Sequence, residues 1–216
     1  MATLARHPHR TRPNPEVNLE TGASAIEKLI AASNDFEGEK TRIYLIETEN
    51  PGQGARTSPS MRARGDGPGA QVPDGYEHVL SLDLDLIPEL RERLGGRLLS
   101  LYARDIEDGD NWESTRMIMM DEGTTEGGHP IWVVPVDVPT DIFDDQATYA
   151  DEDLDAMKVI VFNRPGWILG KPIYIQEEEG EEDQFLMQLS SSIGNLNLGD
   201  SGCLYVFEDS CFMQCS

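Results

Sequence analysis

From Gly75 onward, apolar runs of strand length alternate with short polar breaks. The runs are Tyr76–Leu84, Arg97–Ala103, Arg116–Met120, Ile131–Val136, Ile173–Gln176, Phe185–Leu189, Cys203–Phe207 and Cys211–Cys215. Segments of this length, rich in aliphatic and aromatic residues and bounded by Gly, Asp and Pro, read as β-strands. Helical spacing is rarer. Asp85 is placed to cap a short helix over Leu86–Leu94, stopped by Gly95-Gly96. Asp151 is placed to start another over Leu154–Phe162, which ends before Arg164-Pro165. Nearer the start, Ser24-Ala-Ile-Glu27 has the form of a capping box, with Ile26, Leu29 and Ile30 following at helical spacing. Arg42–Glu47 then reads as a strand. Many short strands, few helices and no regular β-α-β alternation predict an α+β fold, a mostly antiparallel or mixed sheet with two or three helices.

The polar stretches divide the chain. Residues 1–22 read as a disordered N-terminus, and residues 23–49 as a helix–strand segment too small to hold a core alone. Residues 50–72 hold five Gly, three Pro and no aromatic, and so read as a flexible linker or loop. The Arg-Gly-Asp triplet at Arg64–Asp66 inside it reads as a chance match. Residues 73–216 then form the main domain. Within that domain Val79–Asp83 followed by Gly96–Tyr102 is echoed by Phe185–Leu189 followed by Gly202–Phe207. Such an echo is what two duplicated half-domains would leave.

Charge sharpens this division. The chain has 17 Lys+Arg against 40 Asp+Glu, a formal net charge of −23. Residues 1–70 carry nine of each sign, so the whole excess of acid belongs to the main domain. That field repels nucleic acid and anionic membrane, and favours a basic protein as partner. No apolar run has the roughly 18–20 residues of a membrane span. The basic start MATLARHPHRTRP leads into no apolar stretch, so a secretory signal is not expected and the location predicted is cytoplasmic.

Candidate chemistry is thin. Gly199-Asp-Ser-Gly202 matches the tetrapeptide that carries the nucleophile in trypsin-like proteases, but none of the four His has a context suited to the base. A tight turn explains it better, with Gly199 and Gly202 allowing positive φ and Asp200 and Ser201 bonding the backbone. The three Cys, Cys203, Cys211 and Cys215, lack zinc-site spacing. A three-residue loop over Glu208-Asp209-Ser210 would set Cys203 opposite Cys215, where a disulfide is geometrically possible. In a cytosolic protein those thiols stay reduced and pack as small apolar groups. The acidic runs Asp105–Asp110, Asp137–Asp145, Asp151–Asp155 and Glu177–Asp183 do not follow the calcium-loop pattern and read as solvated loops and helix starts. No phosphate-cradling or dinucleotide Gly motif is present, and neither a cofactor nor a metal is expected. Trp112, Trp132 and Trp167 would line a groove or fill a core, and Trp132 within IWVVPV reads as core.

One resemblance emerges from the last fifty residues. Gly166-Trp-Ile-Leu-Gly-Lys-Pro-Ile-Tyr-Ile-Gln176, Phe185–Leu189, Asn197–Phe207 and Phe212–Cys215 resemble the YwqG-like family of bacterial proteins. There a G-x-P-x-W-x-Q element precedes an L-L-Q strand, a G-D-x-G-x-x-Y-x-F strand and a terminal aromatic hairpin. Tyr174 stands where that family has Trp, and the family's N-terminal Gly-Gly-Pro element is missing. The resemblance implies an α+β fold with an internal repeat, and some relatives lie among toxin–immunity genes. It supplies no catalytic residues.

Two functional readings follow. The first is a non-catalytic cytosolic binding protein, in concrete form an immunity or inhibitor protein docking a basic partner. The alternative is a small-ligand-binding domain or weak hydrolase with a pocket between half-repeats, lined by Trp167, Tyr174, Gln176, Gln188 and Asp200. A DNA mimic would also be acidic, provided its carboxylates were spaced like phosphates.

Overall fold

A computed structural model describes residues 22–56, 62–63, 74–104, 116–120, 129–176, 184–193, 198 and 202–214. Two sheets carry the fold, and the strand pairings within them are antiparallel. Helix α1 (Gly22–Asp35) leads into β1 (Lys40–Glu47), and the two-residue β2 (Arg62–Ala63) precedes β3 (Glu77–Asp83). A short 3-10 turn and α2 (Pro88–Leu94) connect to β4 (Leu98–Ala103), followed by β5 (Arg116–Met120), β6 (His129–Pro130) and β7 (Trp132–Pro139). Helices α3 (Asp145–Ala150) and α4 (Glu152–Phe162) come next, then β8 (Gly166–Ile168), β9 (Phe185–Ser190), β10 (Cys203–Phe207) and β11 (Cys211–Gln214). The six-stranded sheet runs β11-β10-β9-β8-β1-β7, and the five-stranded sheet β5-β4-β3-β2-β6. The chain therefore has the α+β architecture its strand pattern predicts.

Side-chain alternation assigns the layers. Tyr44, Ile46, Ile168, Leu204 and Val206 of the six-stranded sheet share one buried cluster with Leu80, Leu82, Leu99 and Leu101 of the other sheet. Ile43, Leu45, Trp167, Tyr205 and Phe207 point the other way and join Ile26, Leu29, Leu154 and Val161 of α1 and α4. The order is thus α1 and α4, six-stranded sheet, five-stranded sheet, with Leu90 of α2 in the cluster between the sheets. Covered on both faces, β1 and β10 have no polar face to present, which is why they read as near-continuous apolar runs. The face assignment within β10 is the one expected from its period of two.

Several expectations are corrected. The helix–strand segment, too small for a core of its own, docks in the larger sheet, where β1 lies between β8 and β7 and pairs with both. The Gly/Pro-rich linker is partly ordered: Arg56 bridges Val133, and Arg62–Ala63 pairs with both β3 and β6. Helix α1 already includes Ser24 in its first turn, so the capping box does not cap it. Asp85 does not cap α2. Asp83 caps the preceding 3-10 turn, and Pro88, which is suited to the first helical position, restarts the chain as α2. The Ile131–Val136 strand is shifted to Trp132–Pro139, and Trp132 is only half-buried. Four α-helices are described rather than two or three, α3 being too short to leave a periodic signal. The two echoed strand pairs are antiparallel neighbours in different sheets. Around each pair the described strands follow in the same order, β5-β4-β3-β2 in one sheet and β11-β10-β9-β8 in the other.

The last hairpin differs by one residue. Phe207 N donates to Ser210 O at 2.8 Å, which closes a two-residue loop over Glu208-Asp209. Shortening the loop shifts the register, so Cys203 faces Gln214 and Val206 faces Cys211. The proposed Cys203–Cys215 opposition is lost, and Cys215 itself lies outside the described residues. Gly202 is needed for close approach, not for positive φ: an added Cβ would sit 1.7 Å from Leu198 O.

Candidate functional site

Four adjacent strands of the six-stranded sheet each contribute one residue to a transverse row on its helix-facing side. Trp167 of β8 is opposite Gln188 of β9, Gln188 opposite Tyr205 of β10, and Tyr205 opposite Phe212 of β11. Ile173–Gln176, expected as a strand, is instead part of a strap, Lys171–Gln176, that crosses over this row. Trp167 Nε1 donates to Lys171 O at 3.2 Å. Gln188 is bidentate on one residue, accepting from Ile173 N at 2.9 Å and donating to Ile173 O at 3.1 Å. The Tyr205 hydroxyl donates to Ile173 O at 3.0 Å and accepts from Ile175 N at 3.1 Å. Gln214, two residues along β11, accepts from Ile175 N at 2.9 Å and from Gln176 N at 3.1 Å.

This geometry explains why Ile173–Gln176 is apolar without being a strand. The side-chain amides of the sheet satisfy its main chain in place of a ladder. Tyr174 then stacks on Tyr205 and Phe212, with centroids 5.3 and 6.3 Å away. Four of the five residues expected to line a pocket are therefore brought together, but around the strap and on the helix side of the sheet, not between the two sheets. Trp167 and Gln188 are buried and bonded to the strap, while Gln176 is exposed. Asp200 lies outside the described residues, as do Gly199 and Ser201. Tyr205 and Gln214 are the members that sequence reasoning missed. Both are tied to Gln188 or to Cys203 only through register, so no local pattern marks them.

A second polar cluster lies on the face of the five-stranded sheet turned away from the other sheet. His78 Nε2 is 2.7 Å from Ser81 Oγ, and Ser81 Oγ is 2.8 Å from Ser100 Oγ. Three residues apart, His78 and Ser81 would fall on opposite faces of a regular strand. The register shift between His78 and Leu80 turns them to the same side. Ser81 and Ser100 are directly opposite each other on β3 and β4. A serine beside a histidine is a nucleophile–base pair in kind. Here both serines are 0% exposed, so no substrate carbonyl reaches either oxygen. His78 Nε2 and the two buried serine hydroxyls instead satisfy one another.

Two further contacts tie elements together. The Tyr44 hydroxyl donates to Glu89 of α2 at 2.6 Å. Burial raises this phenol, and the bond to Glu89 adds to the shift, to about 12. Glu47, at the end of β1, faces Arg164 at 3.7 Å, both almost wholly buried beneath the start of α1. Burial pushes the Glu47 carboxyl above the usual range, and Arg164 pulls the other way.

The outer surface of the helix layer is acidic. Asp141, Asp144, Asp145, Asp151, Glu152, Asp153 and Asp155 occur in one stretch without a Lys or Arg. Asp144 and Asp151 cap α3 and α4, the latter accepting from Asp153 N and Leu154 N at 2.9 and 3.2 Å. Lys158, the next base along the chain, is buried with its Nζ on Asp145 and offers no positive surface. Tyr149 projects among these carboxylates, 71% exposed. Among the described residues no group of His, Cys, Asp and Glu has the arrangement of a metal site, and no helix is long and apolar enough to cross a membrane.

These layers and surfaces define an α+β protein with a helix–sheet–sheet order. No protein-family model, curated protein or solved structure matches the chain.

Proposed function

We propose that this is a non-catalytic binding protein that docks a basic protein on the α3–α4 surface. The observation that carries the reading is the unbroken set of seven carboxylates around the exposed Tyr149. An acidic field steers a cationic partner and fixes its orientation. An exposed aromatic is the kind of side chain that supplies binding energy once a partner buries it. Part of the charge serves the fold, since Asp144 and Asp151 cap helices and Asp145 holds Lys158. Asp141, Glu152 and Asp153 remain directed at solvent.

An immunity or inhibitor protein is the concrete form of this reading, because neutralising a basic enzyme needs affinity and no chemistry. The resemblance to YwqG-like proteins, some of them among toxin–immunity genes, agrees with it, and so does a cytoplasmic location. Affinity capture at low and at physiological salt, followed by identification of the retained proteins, tests the proposal. A basic protein held at low salt and weakened at physiological salt is the expected result. Retention of no basic protein, or retention indifferent to salt, contradicts it.

A further inference from the structure

We infer that the row Trp167–Gln188–Tyr205, together with Gln214 two residues along β11, is a receptor for an extended peptide main chain, and that Lys171–Gln176 is its resident occupant. Three observations lead there. First, every strand from β8 to β11 presents a hydrogen-bonding side chain to the strap, and Gln188 reads the N–H and C=O of Ile173 as a neighbouring strand would. Side-chain readers of this kind recognise an extended backbone whatever chain supplies it. Second, the strands β8 to β11 are held to each other by their own ladders, so the row does not depend on the strap to exist. Helices α1 and α4 contact β7 and β8, and among the described residues Tyr174 of the strap stacks on Tyr205 and Phe212. Third, the strap leaves β8 through two successive left-handed residues, Leu169 at φ 65° and Gly170 at φ 75°. A leucine in that region is strained, and its neighbour Gly170 packs against Ile43 and Phe143 too closely for a side chain.

The ligand class is set by what the row holds now. It is an extended peptide with an aromatic residue between two aliphatic ones, preceded by Pro, the aromatic ring stacking on Tyr205 and Phe212. The site is separate from the acidic α3–α4 surface and does not rest on the docking of a basic partner.

The test uses the full-length chain with its resident weakened by Ile173→Ser, Tyr174→Gly and Ile175→Ser. A fluorescein-labelled synthetic peptide, Lys-Pro-Ile-Tyr-Ile-Gln, is the probe, read by fluorescence anisotropy. The weakened chain is expected to bind it at least about tenfold more tightly than the unmodified chain, in which the tethered strap competes at high effective concentration. Adding Gln188→Leu and Gln214→Leu should then weaken binding by about tenfold or more. Equal binding by weakened and unmodified chains, or indifference to the two glutamines, overturns the inference. Should the weakened chain not fold, hydrogen exchange on the unmodified chain decides. Exchange of the Ile173 and Ile175 amides through a local opening, faster than Tyr205 and insensitive to low denaturant, supports an exchangeable occupant. Exchange only with global unfolding rejects it.

Discussion

Gln188 is a polar residue at 1% exposure in the middle of an apolar strand, and its two hydrogen bonds to Ile173 are what make that tolerable. Gln188→Leu keeps the volume and removes both bonds, leaving the buried Ile173 N–H without its acceptor. A loss of about 1–3 kcal/mol in denaturant unfolding is expected, the cost of orphaning a buried donor; a neutral result would mean that the strap re-forms its bonds elsewhere. Tyr44 makes a second residue-level prediction. Its folded pKa of about 12 lies above the value of about 10 for an unfolded tyrosine. The neutral phenol is therefore the form the fold favours, so its contribution is complete below pH 10 and declines as pH rises from about 10 to 12. Tyr44→Phe should flatten that part of the stability–pH profile and remove the late component from a phenolate absorbance titration. Glu47 has the same sign, again because burial disfavours its charge. With Arg164 replaced by Met, its charge is buried without compensation, a loss of about 3–5 kcal/mol at neutral pH. Stability should recover as the pH falls through the raised Glu47 pKa.

Among the elements, β11 is at the edge of the six-stranded sheet and also reaches back to the strap through Gln214. Truncation before Cys211 strips β10, whose five residues are all buried, of its outer neighbour. Aggregation or loss of the folded signal in size exclusion and circular dichroism is expected; a monodisperse, cooperatively folding product would contradict the role given to the strand. The elements legible in the sequence are those whose period is set by burial. β10 shows its two faces directly, and Asp151 announces α4. Those that were missed depend on partners far along the chain. Ile173–Gln176 is as apolar as a strand because Pro172 and Ile173 are buried under it, yet its hydrogen bonds come from side chains of β9 to β11. The β10–β11 register hinged on one residue of loop length, and nothing in Glu208-Asp209-Ser210 chooses between two and three. The Ser81–His78 contact needs a register shift that a strand pattern does not encode.

At the scale of the molecule, a net charge of −23 and its place in the main domain were plain from the sequence, but which carboxylates serve the fold and which face solvent was not. Helix caps absorb Asp144 and Asp151, and Lys158 turns inward. What is left outside is an acidic surface with a projecting tyrosine, and the central claim is that a basic protein binds there. The most direct measurement is the affinity of the captured basic protein for the native chain and for a variant carrying Asp141→Asn, Glu152→Gln, Asp153→Asn and Tyr149→Ala, by calorimetry at two salt concentrations. These changes spare both capping aspartates, so the helices should persist. The account predicts that the variant binds at least about tenfold more weakly at low salt and that its affinity depends less on salt than that of the native chain. Unchanged affinity with an unchanged salt dependence would place the partner elsewhere on the molecule and contradict the claim.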